Sequence, residues 1–516
     1  MKKSKFLNIL AIVLFALQLV AETGLLIAIL RLDMLPAKFL VPVILLFVVG
    51  ALLTAVLIFW PAQKEKNGKI RKIIACVLAV VITALCIFAF TVVEQVRQTM
   101  ESITDTPLPE GPTRQVFVLA DDPAQTLQDV KDYTFGIVEN YDVANTAGAI
   151  AYIEQQLGMT IKTQAYQTVF EMVDALYSGQ CGAIILNGGY VSILEGQEAY
   201  TGFADKTRIL LDAPVLQVEI PEEPTEDITA ATEDVTVEAT VPAEPPSVTN
   251  TPFIMYVSGS DSRSKKLNIG NSDVNILIIV NPETKQVLLL NTPRDYYIPN
   301  PAGGGALDKL THCGVYGISC SIEALSDLYD IKVDYYSQIN FTGFETLVDA
   351  VGGVTVNSPV GFTRNGVTIY KGENHLNGEQ ALVFARERYQ MPGGDNGRGQ
   401  NQMKVIKAII TKATTGTTII TNYSQILQSL EGFFVTSMQM SEISQLVKMQ
   451  LNDLATWNVQ SYAVTGNNGS EITYSIPGMR ASVMYQDQGR IDYGKQLIQK
   501  VINGQMLTEE DVKYPG

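Results

Sequence analysis

Histidine is nearly absent from this sequence, which contains only His312 and His375. So few imidazoles nearly exclude Ser-His-Asp catalysis and His-rich metal centres. A Walker loop, an HExxH motif and paired CxxC motifs are missing as well. Only five cysteines are present, which is too few for a fold built on disulfides.

Positive charge is also scarce, because 37 Lys and Arg residues face 53 Asp and Glu residues and the net charge is −16. Non-specific binding to DNA or RNA needs a basic surface, so no nucleic-acid partner is expected. Local clusters of basic residues in such an acidic chain are therefore candidates for sites. The length of 516 residues predicts about two to four domains.

Three long apolar runs occupy the N-terminal part of the chain: Phe6–Leu30, Phe39–Trp60 and Ile73–Val93. Each exceeds the roughly 18 residues needed to cross a membrane. The first run lacks a small-residue cleavage site and is followed by two more, so we interpret it as an uncleaved anchor. The positive charges of "MKKSK" and "QKEKNGKIRK" predict a cytoplasmic N-terminus and second loop. Residues 101–516 are then expected outside the membrane.

The pattern predicts four regions: a membrane domain at 1–100, a small α/β accessory domain at 101–217, a linker at 218–250 and a larger α/β domain at 251–516. In the accessory domain, "YTFGIVEN", "MTIKTQAY" and "CGAIILN" are typical of strands. "DVANTAGAIAYIEQQLG" and "TVFEMVDALYSGQ" are typical of helices, and the alternation indicates βαβ connections. This unit is similar to half of a solute-binding-protein lobe, or it is a spacer without a ligand.

The linker is acidic and rich in proline and threonine, with nine acids and no Lys or Arg over 218–248, so an extended chain is predicted. In the larger domain, "VNILIIVN" and "QVLLLNTP" are nearly continuous apolar runs. Such runs predict central strands that are buried on both faces. "SCSIEALSDLYD", "FTGFETLVDAVGG" and "GENHLNGEQALVFAR" predict helices around a central sheet, the last capped by Asn377 and Gln380.

Charged residues recur at the predicted strand ends of the larger domain. Asp261 and Arg263 follow one strand, and Asp273 precedes the next. Arg294 and Asp295 follow a buried strand, and "DKLTH" contains Asp308, Lys309 and His312. Ligands of open α/β folds bind outside the ends of the strands. Mg²⁺ typically takes one or two carboxylates and then substrate oxygens, so Asp261 and Asp273 are candidate ligands for it.

Two further arginines, Arg386 and Arg388, are two residues apart. They would diverge on a helix but share one side of an extended chain, so we expect the preceding helix to end near Ala385. Arginine pairs with phosphate through two parallel hydrogen bonds. Arginines gathered at strand and helix ends therefore predict a phosphate or pyrophosphate site.

Asp395, Arg398 and Gln402 have the i, i+3, i+7 spacing of one helical face. Ile406 and Ile410 continue the same face with apolar side chains. The spacing predicts a helix that points a polar first turn at the site and buries its later turns in the core. The N-terminus of a helix also favours anions.

At these residues the sequence resembles the LytR-CpsA-Psr family, roughly from Thr251 to Gly504. The resemblance rests on ordered motifs, among them "SGSDSR", "TPRDYY", "DKLTH", "FTGFETLVDAVGG" and "LNGEQALVFARERY" followed by "DNGRGQNQ". The three spans and the small α/β unit are similar to the accessory region of some capsule-type members. The expected fold is a membrane domain, an accessory α/β domain and a catalytic α/β domain with a mixed sheet flanked by helices.

The resemblance implies a phosphotransferase at the outer membrane face of a Gram-positive cell. Family members move a glycopolymer, such as teichoic acid or capsule, from a polyprenyl-pyrophosphate carrier onto peptidoglycan. The isoprenoid tail would lie in an apolar cavity between sheet and helices. By the same resemblance, Asp261 and Asp273 would hold Mg²⁺, and Asp395 would orient Arg398 or assist proton transfer. Asp261, Arg294 and Asp395 are the implied catalytic residues. The implied pyrophosphate ligands are Arg263, Arg294, Lys309, Arg386, Arg388, Arg398 and Gln402.

One departure from the family pattern concerns Asn401, where the family usually has an arginine before the final glutamine. A phosphate contact would be lost or substrate choice altered. Two alternatives therefore stand beside the transferase: a non-catalytic polyprenyl-phosphate-binding protein, and a pyrophosphatase acting on the same lipid. A regulator of transcription is disfavoured by the acidic charge and the topology. Cys313 and Cys320 form either a disulfide or two small buried thiols.

Overall fold

The computed structural model describes residues 2–61, 65–104, 114–139, 142–215, 247–260, 267, 270–415 and 425–516. Asp261, Arg263 and most of the predicted linker lie outside these residues. The described chain has the predicted fold class, with three long N-terminal helices, a small α/β unit and a larger α/β unit with a mixed sheet.

The three N-terminal helices are α1, Lys2–Leu32, α2, Ala37–Phe59, and α3, Glu65–Thr104. All three are long and apolar enough to cross a membrane. Pro36 directly before α2 has an extended ψ of 156°, so the helix begins at the next residue. At the opposite end of the helices, Lys72 Nζ donates to Asn8 Oδ1 at 2.6 Å, so the starts of α1 and α3 lie side by side.

Helix α3 continues past the last apolar residue of the predicted span, Val93. Its final segment, residues 94–104, is called the stalk here. Val96, Met100 and Ile103 of the stalk are buried in a cluster that also holds side chains of the larger unit. The larger unit therefore packs directly on the end of a membrane helix.

The accessory unit has a five-stranded sheet in the order β3-β2-β4-β1-β5. β2 is parallel to β3 and β4, while β1 is antiparallel to β4 and β5. The predicted alternation of strands and helices is confirmed here. The elements are β1 Arg114–Leu119, β2 Thr134–Val138, α4 Val143–Leu157, β3 Lys162–Tyr166, α5 Val169–Tyr177, β4 Ala183–Asn187, α6 Tyr190–Glu195, α7 Phe203–Lys206 and β5 Thr207–Ala213, with 3-10 turns at Leu127–Val130 and Glu198–Tyr200.

The larger unit has a mixed six-stranded sheet in the order β16-β11-β6-β7-β8-β17. Its strands are β6 Phe253–Ser260, β7 Val274–Asn281, β8 Gln286–Asn291, β11 Tyr335–Asn340, β16 Phe434–Thr436 and β17 Asn458–Ala463. Two-stranded pairs surround it: β9 Tyr297–Pro299 with β10 Leu307–Lys309, β12 Val354–Ser358 with β15 Gly372–Leu376, β13 Phe362–Arg364 with β14 Val367–Ile369, and β18 Gly466–Thr473 with β19 Ile476–Gln486.

Helices cover both faces of this sheet. They are α8 Leu310–Cys313, α9 Ile318–Tyr329, α10 Phe341–Ala350, α11 Gly378–Arg386, α12 Asp395–Thr414, α13 Met440–Asp453 and α14 Gln488–Ile502, with 3-10 turns at Pro301–Gly303 and Gly314–Tyr316. Leu277 and Ile279 of β7 pack with α9 and α14 on one face. Ile276 and Ile278 pack with α12 on the other. The prediction of central strands buried on both faces is confirmed.

Two local predictions can be compared directly with the structure. Asn377 and Gln380 form the predicted capping box at the start of α11. This helix ends at Arg386, one residue later than expected. Cys313 and Cys320 are free and buried, so the disulfide hypothesis is wrong in this structure and the alternative of two buried thiols holds.

Candidate phosphate site at the sheet edge

Four strands of the larger unit run in the same direction: β6, β8, β11 and β17. Their carboxyl ends lie on one side of the sheet, where the antiparallel β7 begins, and this line of strand ends is called the sheet edge here. Asp273 directly precedes β7, and its amide donates to the carbonyl of Gly259 near the end of β6 at 2.8 Å. Arg294 follows β8 by three residues. The topology therefore brings these two predicted site residues to the edge where open α/β folds bind ligands.

Four charged side chains meet at this edge: Asp273, Arg294, Asp295 and Lys309, called the charge cluster here. Arg294 Nη1 lies 2.7 Å from Asp273 Oδ1, and its Nε lies 3.9 Å from Asp295 Oδ2. Lys309 Nζ lies 2.5 Å from Asp295 Oδ1. All four side chains keep 14–24% of their surface exposed, so solvent still reaches them. The cluster holds two cations in fixed positions at a surface that an anion can approach.

Asp295 lies at the centre of the cluster. Burial alone would raise the pKa of its carboxyl group, but the charges of Lys309 and Arg294 outweigh burial and hold the pKa below its usual value. Arg398 of α12 lowers the pKa of Asp295 as well, so this guanidinium also lies near the cluster. Two cations of separate segments thus lie against one ionised carboxylate, and the charge of a third adds to their effect.

Asp308 fixes the segment that carries Lys309. Its side chain is fully buried and accepts hydrogen bonds from Lys309 N at 2.8 Å, Asn300 Nδ2 at 3.0 Å and Ser475 N at 3.2 Å. His312 Nδ1 lies 2.6 Å from the same carboxylate. A buried carboxylate with this many partners is strongly held in one geometry, and so is the backbone of Lys309.

Backbone hydrogen bonds connect this segment to the other site residues. The amide of Thr311 donates to the carbonyl of Arg294 at 2.8 Å, and the amide of Ser272 donates to the carbonyl of Thr311 at 3.0 Å. Ser272 directly precedes Asp273. The backbone of Thr311 is therefore hydrogen-bonded both to Arg294 and to the neighbour of Asp273. These bonds position three charged side chains relative to one another.

The N-terminus of α12 approaches the end of β8 closely. A Cβ atom at Gly399 would lie 2.4 Å from Asn291 Nδ2, so any larger residue would force the helix or the Asn291 side chain to shift. Asp395 is the first residue of α12, Arg398 lies in the first turn, and Gln402 follows one turn later, half-buried. The first turn of a 20-residue helix therefore points toward the charge cluster, where its partial positive charge favours an anion.

The later turns of α12 face the core, as the spacing predicted. Ile406 and Ile410 pack against the sheet beside the buried Met403. They meet side chains of β7 and β8, among them Leu289. One helix face thus changes from polar at the sheet edge to apolar above the strands.

Arg386 and Arg388 flank Glu387. The Glu387 side chain is buried, whereas Arg386 is exposed and Arg388 is partly exposed. The Arg386 guanidinium lies 4.3 Å from the ring centre of Phe341, the residue that follows β11. Arg388 contacts the exposed Tyr389, with Nη2 2.5 Å from the hydroxyl. Arg386 is thus near the same sheet edge, while Arg388 is engaged with its neighbour.

Asn401 has a structural contact in this fold. The side chain is 1% exposed, and its Nδ2 donates to the carbonyl of Phe384 at 3.1 Å. That carbonyl belongs to the last turns of α11, so Asn401 connects α11 to α12. The residue that departs from the family pattern therefore holds together the two helices that carry Arg386 and Arg398.

A divalent cation is compatible with the donors at the edge. Asp273 offers carboxylate oxygens, and Ser260 Oγ, at the end of β6, is buried with no hydrogen-bond partner in the part of the chain that the structure describes. Within that part, no three or more His, Cys, Asp or Glu side chains are grouped so that they could hold a metal ion by themselves. This donor set fits Mg²⁺, which is held by few protein oxygens and completes its shell with substrate.

The predicted residues therefore divide into three groups. Asp273, Arg294 and Lys309 form the charge cluster with Asp295. Arg398 and Gln402 lie near the start of α12, whereas Arg386 contacts Phe341 and Arg388 contacts Tyr389. Asp261 and Arg263 lie outside the described residues, and of Asp395 only the backbone is described. Sequence reasoning placed Asp295 at this strand end without giving it a role, and it missed Ser475. The adjacency of Asp295 to Arg294 was a usable signal, whereas Ser475 lies 167 residues from its partner Asp308 and gave none.

Comparison with known proteins agrees with the motifs. The LytR_cpsA_psr family profile matches residues 223–489, more than half of the chain. The chain is 34% identical over 197 residues to the Enterococcus faecalis protein named polyisoprenyl-teichoic acid–peptidoglycan teichoic acid transferase TagU, covering 38% of this chain and 64% of that one. A Bacillus mycoides protein of the same name is 32% identical over 204 residues, covering 39% and 66%. The chain thus spans less than two thirds of these relatives. The crystal structure of B. subtilis TagV superposes with a TM-score of 0.42 at 23% identity, covering 49% of this chain and 98% of that one.

Proposed function

The chain belongs to the LytR_cpsA_psr family, and on that premise we propose that it is a membrane-anchored phosphotransferase. It moves a glycopolymer from a polyprenyl-pyrophosphate carrier to peptidoglycan. The names of its relatives support this, since they describe transfer of teichoic acid from a polyisoprenyl-linked form to peptidoglycan. The observation that carries this proposal is the meeting of Arg294 and Lys309 at Asp295 at the sheet edge, beside the end of β8 that the start of α12 approaches. A substrate diphosphate has the charge and size that such a set of cations binds.

The reaction breaks the phosphoanhydride bond of the carrier and forms a phosphodiester bond to the acceptor. A sugar hydroxyl of the acceptor attacks the phosphorus nearest the glycan, the bridging P–O bond breaks, and polyprenyl phosphate leaves. Negative charge builds on the phosphoryl oxygens, where the fixed arginines stabilise it most. Asp395 is our candidate to accept the hydroxyl proton or to orient Arg398, and Gln402 is a candidate ligand of the phosphate.

Mg²⁺ is part of the proposal. Asp273 and Asp261 would hold it, with the Ser260 hydroxyl as a further oxygen donor. When bound, the ion would neutralise charge on the diphosphate. Arg294, which forms an ion pair with Asp273 at 2.7 Å, would lie beside the ion and donate to the diphosphate. Arg263, Arg386 and Arg388 complete the proposed set of cations.

The proposed orientation has the N-terminus in the cytoplasm and both α/β units outside. It is supported by the position of the larger unit, which packs on the stalk at the end of α3. The starts of α1 and α3 lie at the other end, where the basic Lys72 contacts Asn8. The positive-inside rule assigns this basic end to the cytoplasm.

The isoprenoid tail would enter between the sheet and α12. This proposal is supported by apolar side chains on that sheet face that are only partly buried, among them Val257, Ile278 and Val280. Tail carbons in such a space lose contact with water, which contributes about 0.8 kcal/mol per buried CH₂ group. The diphosphate would then lie at the edge beyond the strand ends.

A reconstitution assay tests the function. The purified full chain would receive a lipid-pyrophosphate glycan, Mg²⁺ and peptidoglycan oligomers, and covalent transfer would be measured. Arg294→Ala should lower kcat/KM by about 100-fold or more, since charge stabilisation by one fixed donor is of that size. Arg480→Ala, an exposed arginine on the β18–β19 hairpin, is the matched control and should leave the rate unchanged.

The alternatives give different products in the same assay. Release of lipid phosphate without transfer would identify a pyrophosphatase. Tight binding of the lipid without turnover would identify a polyprenyl-phosphate-binding protein. Full transfer by Arg294→Ala would show that the phosphate binds elsewhere.

A further inference from the structure

Helix α6 of the accessory unit packs against the segments that build the phosphate site. The hydroxyl groups of Tyr190 and Tyr316 lie 2.9 Å apart, and Asn187 Nδ2 donates to the carbonyl of Val315 at 3.0 Å. A Cβ atom at Gly189 would lie 2.9 Å from the same carbonyl oxygen. The approach of the two units is therefore as close as packing inside one domain.

A second contact reaches the backbone beside Asp273. The amide of Asn271 donates to Ser192 Oγ of α6 at 3.2 Å. Ser192 Oγ in turn donates to the carbonyl of Gly189 at 2.8 Å, so its position is fixed by its own helix. Ser192 of the accessory unit thus fixes the backbone at Asn271, two residues before the proposed metal ligand Asp273.

The first contact continues through buried side chains to the charge cluster. Tyr316 OH lies 2.9 Å from Ser475 Oγ, and both the amide and the hydroxyl of Ser475 donate to the Asp308 carboxylate. Asp308 accepts the amide of Lys309. Tyr190, Ser475 and Asp308 are each at most 1% exposed. Water cannot replace a missing member of this chain without a cavity to hold it.

From these contacts we infer that the accessory unit positions the phosphate site through α6. Tyr190 acts on Lys309 by way of Tyr316, Ser475 and Asp308, and Ser192 acts on the segment that carries Asp273. Both are positioning residues, since neither contacts the charge cluster itself. The inference rests on the proposed function, and it gives the accessory unit a role that requires no ligand of its own.

The test uses Tyr190→Phe and Ser192→Ala in the full chain. Each removes one hydroxyl and little volume. Loss of one buried hydrogen bond is expected to raise the apparent KM for the lipid-pyrophosphate substrate by about three- to tenfold. The matched control is Tyr200→Phe, whose hydroxyl bonds Asp174 within the accessory unit at 3.2 Å. This control should leave KM unchanged.

A second readout does not depend on turnover. Hydrogen exchange at the amide of Asn271 should become faster in Ser192→Ala, and exchange at Lys309 and Thr311 should become faster in Tyr190→Phe. Tyr200→Phe should not change exchange at these three amides. A role limited to stability would instead change exchange and thermal unfolding across the whole accessory unit.

Unchanged KM and unchanged exchange in both variants would overturn the inference. So would an equal loss in Tyr200→Phe. Arg294→Ala separates the two proposals: if it abolishes transfer while Tyr190→Phe behaves as wild type, only the positioning role fails. If Arg294→Ala transfers normally, the proposed function fails first, and the exchange data alone then decide whether α6 holds the edge.

Discussion

At the scale of single residues, Asp295 explains why cations can gather at this edge without repelling one another. Lys309 contacts one carboxylate oxygen and Arg294 approaches the other, and Arg398 adds to their effect. The pKa of Asp295 is held below its usual value even though burial opposes the shift. A carboxyl group whose pKa is lower in the folded chain stabilises the fold at every pH above its unfolded pKa. That stabilisation disappears as the pH falls through the lower, folded-state pKa.

Asp295→Asn should therefore lower the melting temperature at pH 7, because the amide cannot balance the two nearest cations. The difference from wild type should shrink below about pH 4, where the carboxyl group becomes protonated in the unfolded chain. Thermal unfolding of the full chain in detergent, followed from pH 7 downward, measures this. Asp453→Asn, a more exposed partner of Lys285, is the control and should have no such profile. A difference that is constant with pH would contradict the assignment.

Asn401 is a second case in which one residue decides between interpretations. The family pattern suggests a lost phosphate contact, whereas the structure gives the side chain a buried bond to the carbonyl of Phe384. Asn401→Ala should destabilise the fold by about 1–3 kcal/mol, since a buried carbonyl loses its partner. The apparent KM should stay unchanged, while Gln402→Ala should raise it. A higher KM in Asn401→Ala at unchanged stability would contradict a purely structural role and mean that the amide itself contacts the substrate.

At the scale of elements, α12 joins the core to the site. Its later turns pack on β7 and β8, while Gly399 allows its first turn to reach Asn291 at the end of β8. The position of Arg398 is thus set by helix packing rather than by its own side-chain contacts alone. Any change that lifts the first turn should move this guanidinium.

Gly399→Ala tests that connection. Alanine normally stabilises a helix by about 1 kcal/mol relative to glycine, so a loss of activity cannot come from helix propensity. The new Cβ atom would lie 2.4 Å from Asn291 Nδ2 and should displace the first turn. We expect a fall in kcat/KM of about tenfold or more with little change in melting temperature. When Asn291→Ala is already present, Gly399→Ala should lower kcat/KM by a smaller factor. A double-mutant cycle would measure this difference.

The elements were largely predictable from sequence because their signals are local. The apolar runs of β7 and β8 predicted central strands, and Asn377 with Gln380 predicted the start of α11. The end of α11 was predicted one residue early. The spacing of Arg386 and Arg388 requires an extended residue between them but does not say whether the first arginine still closes the helix.

At the scale of the whole molecule, the site was predictable only in part. Motifs at strand ends indicated Asp273, Arg294 and Lys309, since strand ends meet at a common edge. The support from Ser475 and from α6 depends on contacts between residues far apart in sequence, for example 126 residues between Tyr190 and Tyr316. No spacing or periodicity encodes such a pair, so only the folded chain reveals it.

The stalk sets the relation between membrane and site. Met100 is 1% exposed, in a cluster with Leu427 and Leu430 of the larger unit. Lys448 of α13 also forms an ion pair with Asp33, beside the end of α1, at 2.7 Å. The larger unit is therefore packed against the ends of the N-terminal helices. A lipid substrate that stays in the membrane needs its diphosphate to reach the sheet edge, and this packing fixes the height of that edge.

Met100→Asp should undock the larger unit, because an unpaired charge in an apolar cluster is strongly unfavourable. Transfer from a long-chain lipid in liposomes should then fall by about tenfold or more, since the site is no longer held at one height. Transfer from a short-chain, water-soluble analogue should be unchanged, because the sheet edge itself is intact. Gln95→Asp adds the same charge at an exposed position of the same helix and is the control. Equal losses on both substrates would mean that the stalk supports the fold of the larger unit rather than its distance from the membrane.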